Sequence, residues 1–263
     1  GRIIRHQKEK RGDVMDIWKE LRGEGVDPAL LEEIQHFRAA HPVPPEAEAR
    51  IPVPQCLYYG TEVWESAAAA LLCGQHLLLA GPKATGKNVL AENLAAVFGR
   101  PVWDVSMYVN VDAAALIGAD TLQKGEVVFR EGPICRCARL GGFGVLDEVN
   151  MAKNEALAVL HATLDHRRVI DVPGYERITL DEATRFIGTM NYGYAGTREL
   201  NEALVSRFAV LDMPVISEED LQKLLRRTFP TLSAKWAEQF ALLFRDLRQK
   251  CDSGEISSKT LDL

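Results

Sequence analysis

At 263 residues the chain is long enough for one large domain or two of moderate size. Its 47% hydrophobic and 26% charged content is ordinary for a globular protein. A net charge of −6 argues against a dedicated nucleic-acid surface, and no apolar run approaches the roughly 18 residues of a membrane span. The N-terminus is basic and polar, without the apolar centre of a signal peptide. Five cysteines, odd in number and without framework spacing, fit a reducing cytoplasm. Cys135 and Cys137 form a C-x-C with no second pair nearby, so they read as small buried hydrophobes.

Residues 1–40 read as helical and charged. Val14, Ile17, Trp18 and Leu21 share one helical face; Leu30, Leu31, Ile34 and Phe37 mark a second helix, started by Asp27-Pro28. Such helices either pack on the rest of the chain or dock a partner, and packing is the preferred reading. The prolines of 41–55 stop helices and favour extended chain, so this stretch reads as a linker that closes an N-terminal segment 1–55.

From 56 to 216 strands and helices alternate. The expected strands are 76–80, 102–105, 143–146, 185–189 and 209–213; the expected helices are 62–73, 87–98, 133–140, 152–164 and 199–206. Alternation of this kind predicts an α/β fold around a parallel sheet. Beyond Pro214 the pattern is all helical. Leu221, Leu224 and Leu225 begin one helix, while Trp236, Phe240, Leu243, Phe244 and Leu247 line another, giving a small helical domain over 217–263.

Residues 81–88 read Gly81-Pro82-Lys83-Ala84-Thr85-Gly86-Lys87-Asn88, the phosphate-binding pattern G-x-x-x-x-G-K. An apolar strand precedes it, and a helix with Leu90, Leu94 and Val97 on one face follows. Strand, Gly-rich turn and helix N-terminus together aim backbone N–H groups at an anion. Lys87 then reaches the β- and γ-phosphates of a nucleoside triphosphate. Two positions are unusual. Ala84 stands where Gly is frequent, which suits a negative φ. Asn88 stands where Ser or Thr would offer Mg²⁺ a hydroxyl. Its amide oxygen lies one bond further out, and the expectation is metal contact in a shifted pose or through water, with reduced turnover.

Phe143-Gly144-Val145-Leu146 is an apolar run ending in Asp147-Glu148. Carboxylates at the end of a buried strand, some 60 residues past a phosphate loop, suit a metal ligand followed by a water-activating base. Asn191 ends the fourth strand, where its amide orients the lytic water, touches the γ-phosphate, or simply turns the chain before Tyr192-Gly193. Arg207 follows a helix just before the last strand. It either favours that helix C-terminus or projects into a neighbouring copy as an arginine finger.

Together these segments, from about residue 56 onward, resemble the MoxR-type AAA+ ATPases, a group with NorQ/CbbQ-like and dynein-related modules. The marks are the phosphate loop, Leu-Asp-Glu-Val-Asn at 146–150, Gly-Thr-Met-Asn at 188–191, the run 194–204 and Ser-Arg-Phe at 206–208. The resemblance implies a five-stranded parallel sheet of order 5-1-4-3-2 and a C-terminal lid. It implies Asp147 as the Mg²⁺ carboxylate, Glu148 as base, Asn191 as sensor 1 and Arg207 as the finger in trans, with Arg198 ranked below it. Ser257-Ser258-Lys259 matches the sensor 2 stretch, with Lys259 as its charge. Hairpins are implied within 115–133, facing a central pore, and within 169–180. The family further implies a homo-oligomeric ring, expected as a hexamer, a partner with a von Willebrand A domain, and a chaperone-like role. A nucleotide switch with little hydrolysis is the second reading, on the strength of Asn88. A nucleic-acid motor is disfavoured by the acidic balance.

Overall fold

The structure is a computed structural model that describes residues 15–172, 174–192 and 199–255. Arg198 and Lys259 lie outside the described residues, as do positions 194–198 of the run 194–204 and the proposed sensor 2 stretch.

The chain enters through two capped helices. Asp16 accepts from the N–H groups of Trp18 and Lys19 at the start of α1 (Ile17–Gly23). Asp27 accepts from Ala29, with Pro28 in the first turn of α2 (Pro28–Ala40). These are N-terminal caps that sequence alone marks. Leu21, Leu31, Ile34 and Phe37 are buried against the following α/β layer, where Phe37 meets Phe98 edge-on at 5.2 Å. The Pro-rich stretch departs from the extended reading. Pro45–Arg50 forms a 3₁₀ helix, closed by Ala47 N–H to Pro44 O and held by complete burial of Ala47.

Strands β1 (His76–Gly81), β2 (Val102–Ser106), β5 (Phe143–Asp147), β8 (Arg185–Asn191) and β9 (Phe208–Asp212) form one sheet in the order β2-β5-β8-β1-β9. Its pairings are all parallel. Read from the last strand, this is the order 5-1-4-3-2. The interior strand β1 is buried along its full length, so its apolar residues face two layers in alternation. Leu77 and Leu79 pack with α1, α2, α3 (Thr61–Leu72) and α4 (Lys87–Phe98). Leu78 packs on the opposite face with Leu146 and Phe186. That face is covered by α6 (Pro133–Arg139), where Cys135 and Cys137 are fully buried, and by α7 (Asn154–Thr163). The helix α5 (Ala113–Ile117) leads into these layers.

Two hairpins leave the sheet. β3 (Gly118–Gln123) pairs antiparallel with β4 (Glu126–Glu131), and β6 (Val169–Ile170) with β7 (Ile178–Thr179). The Tyr175 hydroxyl donates to Asp120 at 2.6 Å and its ring lies on Phe129, which ties the two hairpins together. The expected helix 199–206 is a single turn, α8 (Glu202–Val205), capped by Asn201.

The C-terminal segment expected as a lid holds two helices, α9 (Glu218–Thr228) and α10 (Ala234–Asp252), capped by Ser217 and Ser233. Leu221, Ala241 and Phe244 make its small core. Here the sequence reading of α10 needs correction. Its buried face carries Ala237, Ala241, Phe244 and Arg248, while Trp236, Phe240 and Leu243 are exposed. The shorter α9 covers only one side of the 19-residue α10. Among the described residues no helix is long and apolar enough to cross a membrane.

Candidate functional site

The register of the sheet brings the candidate residues to one edge. Gly81 lies beside Asn191 in the β1–β8 pair, Ser106 beside Asp147 in the β2–β5 pair, and Leu146 beside Gly188 in the β5–β8 pair. The C-terminal ends of β1, β5 and β8 therefore open together, the edge at which parallel sheets gather ligands. A cavity of about 870 Å³ lies there. Residues 83–88 form its floor, Asp147, Glu148, Thr189 and Asn191 one wall, and Tyr58, Tyr59 and lid residues the other.

The loop turns through Gly86, whose φ of 79° is left-handed and open to glycine at little cost. Ala84 also has a positive φ, 57°. The negative φ expected there is wrong, and an L-residue pays for this conformation in steric strain. Lys87 is buried, and its ammonium donates to Gly81 O at 3.0 Å, Pro82 O at 2.6 Å and Thr85 Oγ1 at 3.1 Å. Burial pulls its pKa down to about 8, against the opposing charge of Asp147. The ammonium therefore sits in a site that gains from an incoming anion. Pro82 and Lys83 lead from the end of β1 into these turns.

Facing it, the carboxylates are held by β8. The Thr189 hydroxyl donates to Asp147 Oδ1 at 2.7 Å and accepts from the Glu148 N–H at 3.0 Å. Glu148 takes a left-handed φ of 54°, which turns its exposed side chain toward Asn191. Asn191 Nδ2 donates to Glu148 Oε1 at 3.1 Å, and Asn191 O accepts from Asn150 Nδ2 at 2.9 Å. Asn150 is buried with its Oδ1 unpartnered. Non-glycine backbone held at positive φ at such a position is a recurrent feature of functional sites. Asp147 and Asn88 both line the cavity. A carboxylate and an amide oxygen are hard donors of the kind Mg²⁺ accepts beside phosphates and water, so the residues present fit that ion.

Some residues here were not singled out by sequence. Thr189 bridges Asp147 and Glu148. Asn93 accepts from Tyr58 N–H at 2.8 Å and donates to Cys56 O at 2.9 Å, which fixes the Tyr58–Tyr59 segment to α4. A buried Asn on an otherwise apolar helix face was the available signal for Asn93; Thr189 gave none without the register.

Arg207 is not brought to this cavity. Its guanidinium binds Ala203 O, lies 3.8 Å from Asp165 Oδ2, and keeps a buried Nε without a partner.

Comparison with known proteins agrees with this geometry. Residues 76–208 match the model of the AAA domain, dynein-related subfamily. "Uncharacterized protein YojN" of Bacillus subtilis is 34% identical over 242 residues, covering 89% of this chain and 80% of the relative. "Uncharacterized protein SH1500" of Staphylococcus haemolyticus is 33% identical over 207 residues, covering 76% of this chain and 79% of that one. Among solved structures, a "putative ATPase" from Cytophaga hutchinsonii superposes with a TM-score of 0.55 at 16% identity. That match covers 82% of this chain and 64% of the other, and it supports the fold alone. By its family match and its relatives, the chain belongs to the dynein-related AAA domain family, within the AAA+ P-loop NTPase fold.

Proposed function

We propose that the chain binds ATP in this cavity and hydrolyses it, as the motor of a ring that remodels or activates a partner protein. The observation that carries the reading is the convergence of Lys87, Asp147, Glu148 and Asn191 on one sheet edge. Lys87 and the N–H groups of the loop bind the phosphates. Asp147 and Asn88 would hold a magnesium ion, which supplies charge neutralisation for the β- and γ-phosphates. Glu148 takes the proton of the attacking water, and Asn191 orients the carboxylate that does so.

Arg207 belongs to a second copy's reaction in this scheme. Its guanidinium leaves Ala203 and Asp165 and meets the γ-phosphate held by a neighbour, which makes turnover dependent on assembly. The family resemblance points to six copies, a partner carrying a von Willebrand A domain, a chaperone-like role of the MoxR type, and a cytoplasmic setting. The buried thiols suit such a setting: burial pushes Cys135 up to about 12 and raises Cys137 further, so both resist thiolate chemistry. Lys259 remains the proposed lid cation at the phosphates.

A second reading, a nucleotide switch that hardly hydrolyses, is favoured by Asn88 in place of a metal-binding hydroxyl. Mass measurement with ATP, ADP and no nucleotide, paired with phosphate release, separates the two. The motor assembles and its rate per chain rises with assembly. A verified monomer that matches the assembled rate contradicts the trans finger, and nucleotide binding without release supports the switch.

A further inference from the structure

The lid is held from two sides. Through Pro214–Ser217 it continues from β9, and through α9 it meets the N-terminal helix α1. Glu24 Oε2 lies 3.0 Å from Lys223 Nζ, and Glu20 pairs with the Arg227 guanidinium. Lys223 and Arg227 are one turn apart on α9, so both pairs form on one helix face. Glu20 and Glu24 are likewise one turn apart at the end of α1. Two ion pairs one turn apart thus join α1 to α9.

α1 is anchored to the core by independent contacts. Ile17 and Leu21 are buried in the main core. Glu24 O accepts from the Thr61 hydroxyl at 3.1 Å, and Asp27 N–H donates to Glu65 Oε1 at 2.7 Å, both at the start of α3. α1 is therefore a fixed post, and α9 is what the acidic pair steadies.

Between post and lid lies Tyr59. Lys223 sits over its ring at 5.9 Å, and the Arg227 charge lies close enough to its hydroxyl to oppose the upward push of burial on the phenol. Tyr59 and Leu224 of α9 both line the cavity assigned to the nucleotide. Lys223 and Arg227 thus each pair with an acid of α1 on one side and lie beside Tyr59, in the cavity wall, on the other. The four charged side chains are half-buried, between 26% and 38% exposed, so solvent screens them only in part.

We infer that Glu20 and Glu24 are positioning residues for nucleotide binding: through Lys223 and Arg227 they hold Tyr59 and α9 as the lid-side wall of the cavity. This rests on the reading of the cavity as a nucleotide site. The N-terminal helices then serve the ATPase module directly, and displacement of α1 by another protein would loosen the lid and release nucleotide.

The test uses Glu20→Gln with Glu24→Gln in the full chain, both neutral near-isosteres, and two readouts. The first is amide hydrogen exchange without nucleotide. Amides of α9 exchange faster in the variant, while those of β1 and α4 do not change. The second is dissociation of a fluorescent ADP, which becomes about fivefold faster, as loss of a partly buried charge network predicts. The swap Glu20→Arg with Arg227→Glu restores much of what Glu20→Arg alone loses. Unchanged exchange in α9 overturns the inference, as does unchanged ADP dissociation while wild type binds nucleotide. If wild type and Lys87→Ala both fail to bind nucleotide, the nucleotide reading fails, and with it the role assigned to Glu20 and Glu24.

Discussion

Asn191 on β8 donates its side-chain amide to Glu148 Oε1 at 3.1 Å, across the end of the sheet from β5. The same strand positions Asp147 through Thr189, so β8 orients both carboxylates while offering no charge of its own at that end. A neutral amide can steer a carboxylate without adding a charge beside it. Removing it should impair chemistry more than binding.

Asn191→Ala is expected to lower phosphate release by about 10- to 100-fold, the scale of a lost orienting group. Affinity for a fluorescent nucleotide should change by less than about threefold, because the phosphates are held by the loop. Equal losses in both would assign Asn191 to binding.

Ala84 at φ 57° carries strain that glycine would not. Ala84→Gly relieves it but adds freedom to the unfolded chain, so the net gain is modest, about 0.5–1 kcal/mol. Urea unfolding of the two proteins measures it. A loss of stability would contradict a left-handed residue 84.

Asn88→Thr shortens the arm that meets the metal and supplies a hydroxyl. The variant is expected to reach half-maximal phosphate release at lower Mg²⁺ and to turn over several-fold faster. Unchanged Mg²⁺ dependence together with unchanged kcat would remove Asn88 from the metal's surroundings.

Burial places Lys87 at about 8, below its ordinary 10.5. Phosphate favours the ammonium, so binding above pH 8 draws a proton onto Lys87. Affinity is therefore full below pH 8 and falls as pH rises through and beyond it, by up to about tenfold per unit. Nucleotide titrations from pH 7 to 9.5 show the slope; Lys87→Met binds weakly and lacks it.

Much of this was legible in the sequence, for physical reasons. The run His76–Ala80 could only be a buried strand, and Gly81–Asn88 could only follow it as a loop into a helix. Asp147-Glu148 gained meaning from the apolar strand before it. What escaped depended on distance in space. Thr189 became a site residue only when β8 was set beside β5. The positive φ of Ala84 and Glu148 is imposed by the loop and strand ends around them, and side-chain chemistry does not announce it. The periodicity of α10 marked an apolar face, but no period reveals whether a neighbour covers Trp236, Phe240 and Leu243. Glu20 and Glu24 drew no reading of their own, because their partners lie some 200 residues away.

The central claim is that Glu148 turns bound ATP over. Phosphate release and nucleotide binding by wild type and Glu148→Gln, measured on the same assembled species, test it most directly. The account predicts binding within about threefold of wild type and phosphate release lowered by at least about 100-fold. Equal phosphate release from the two proteins would contradict it.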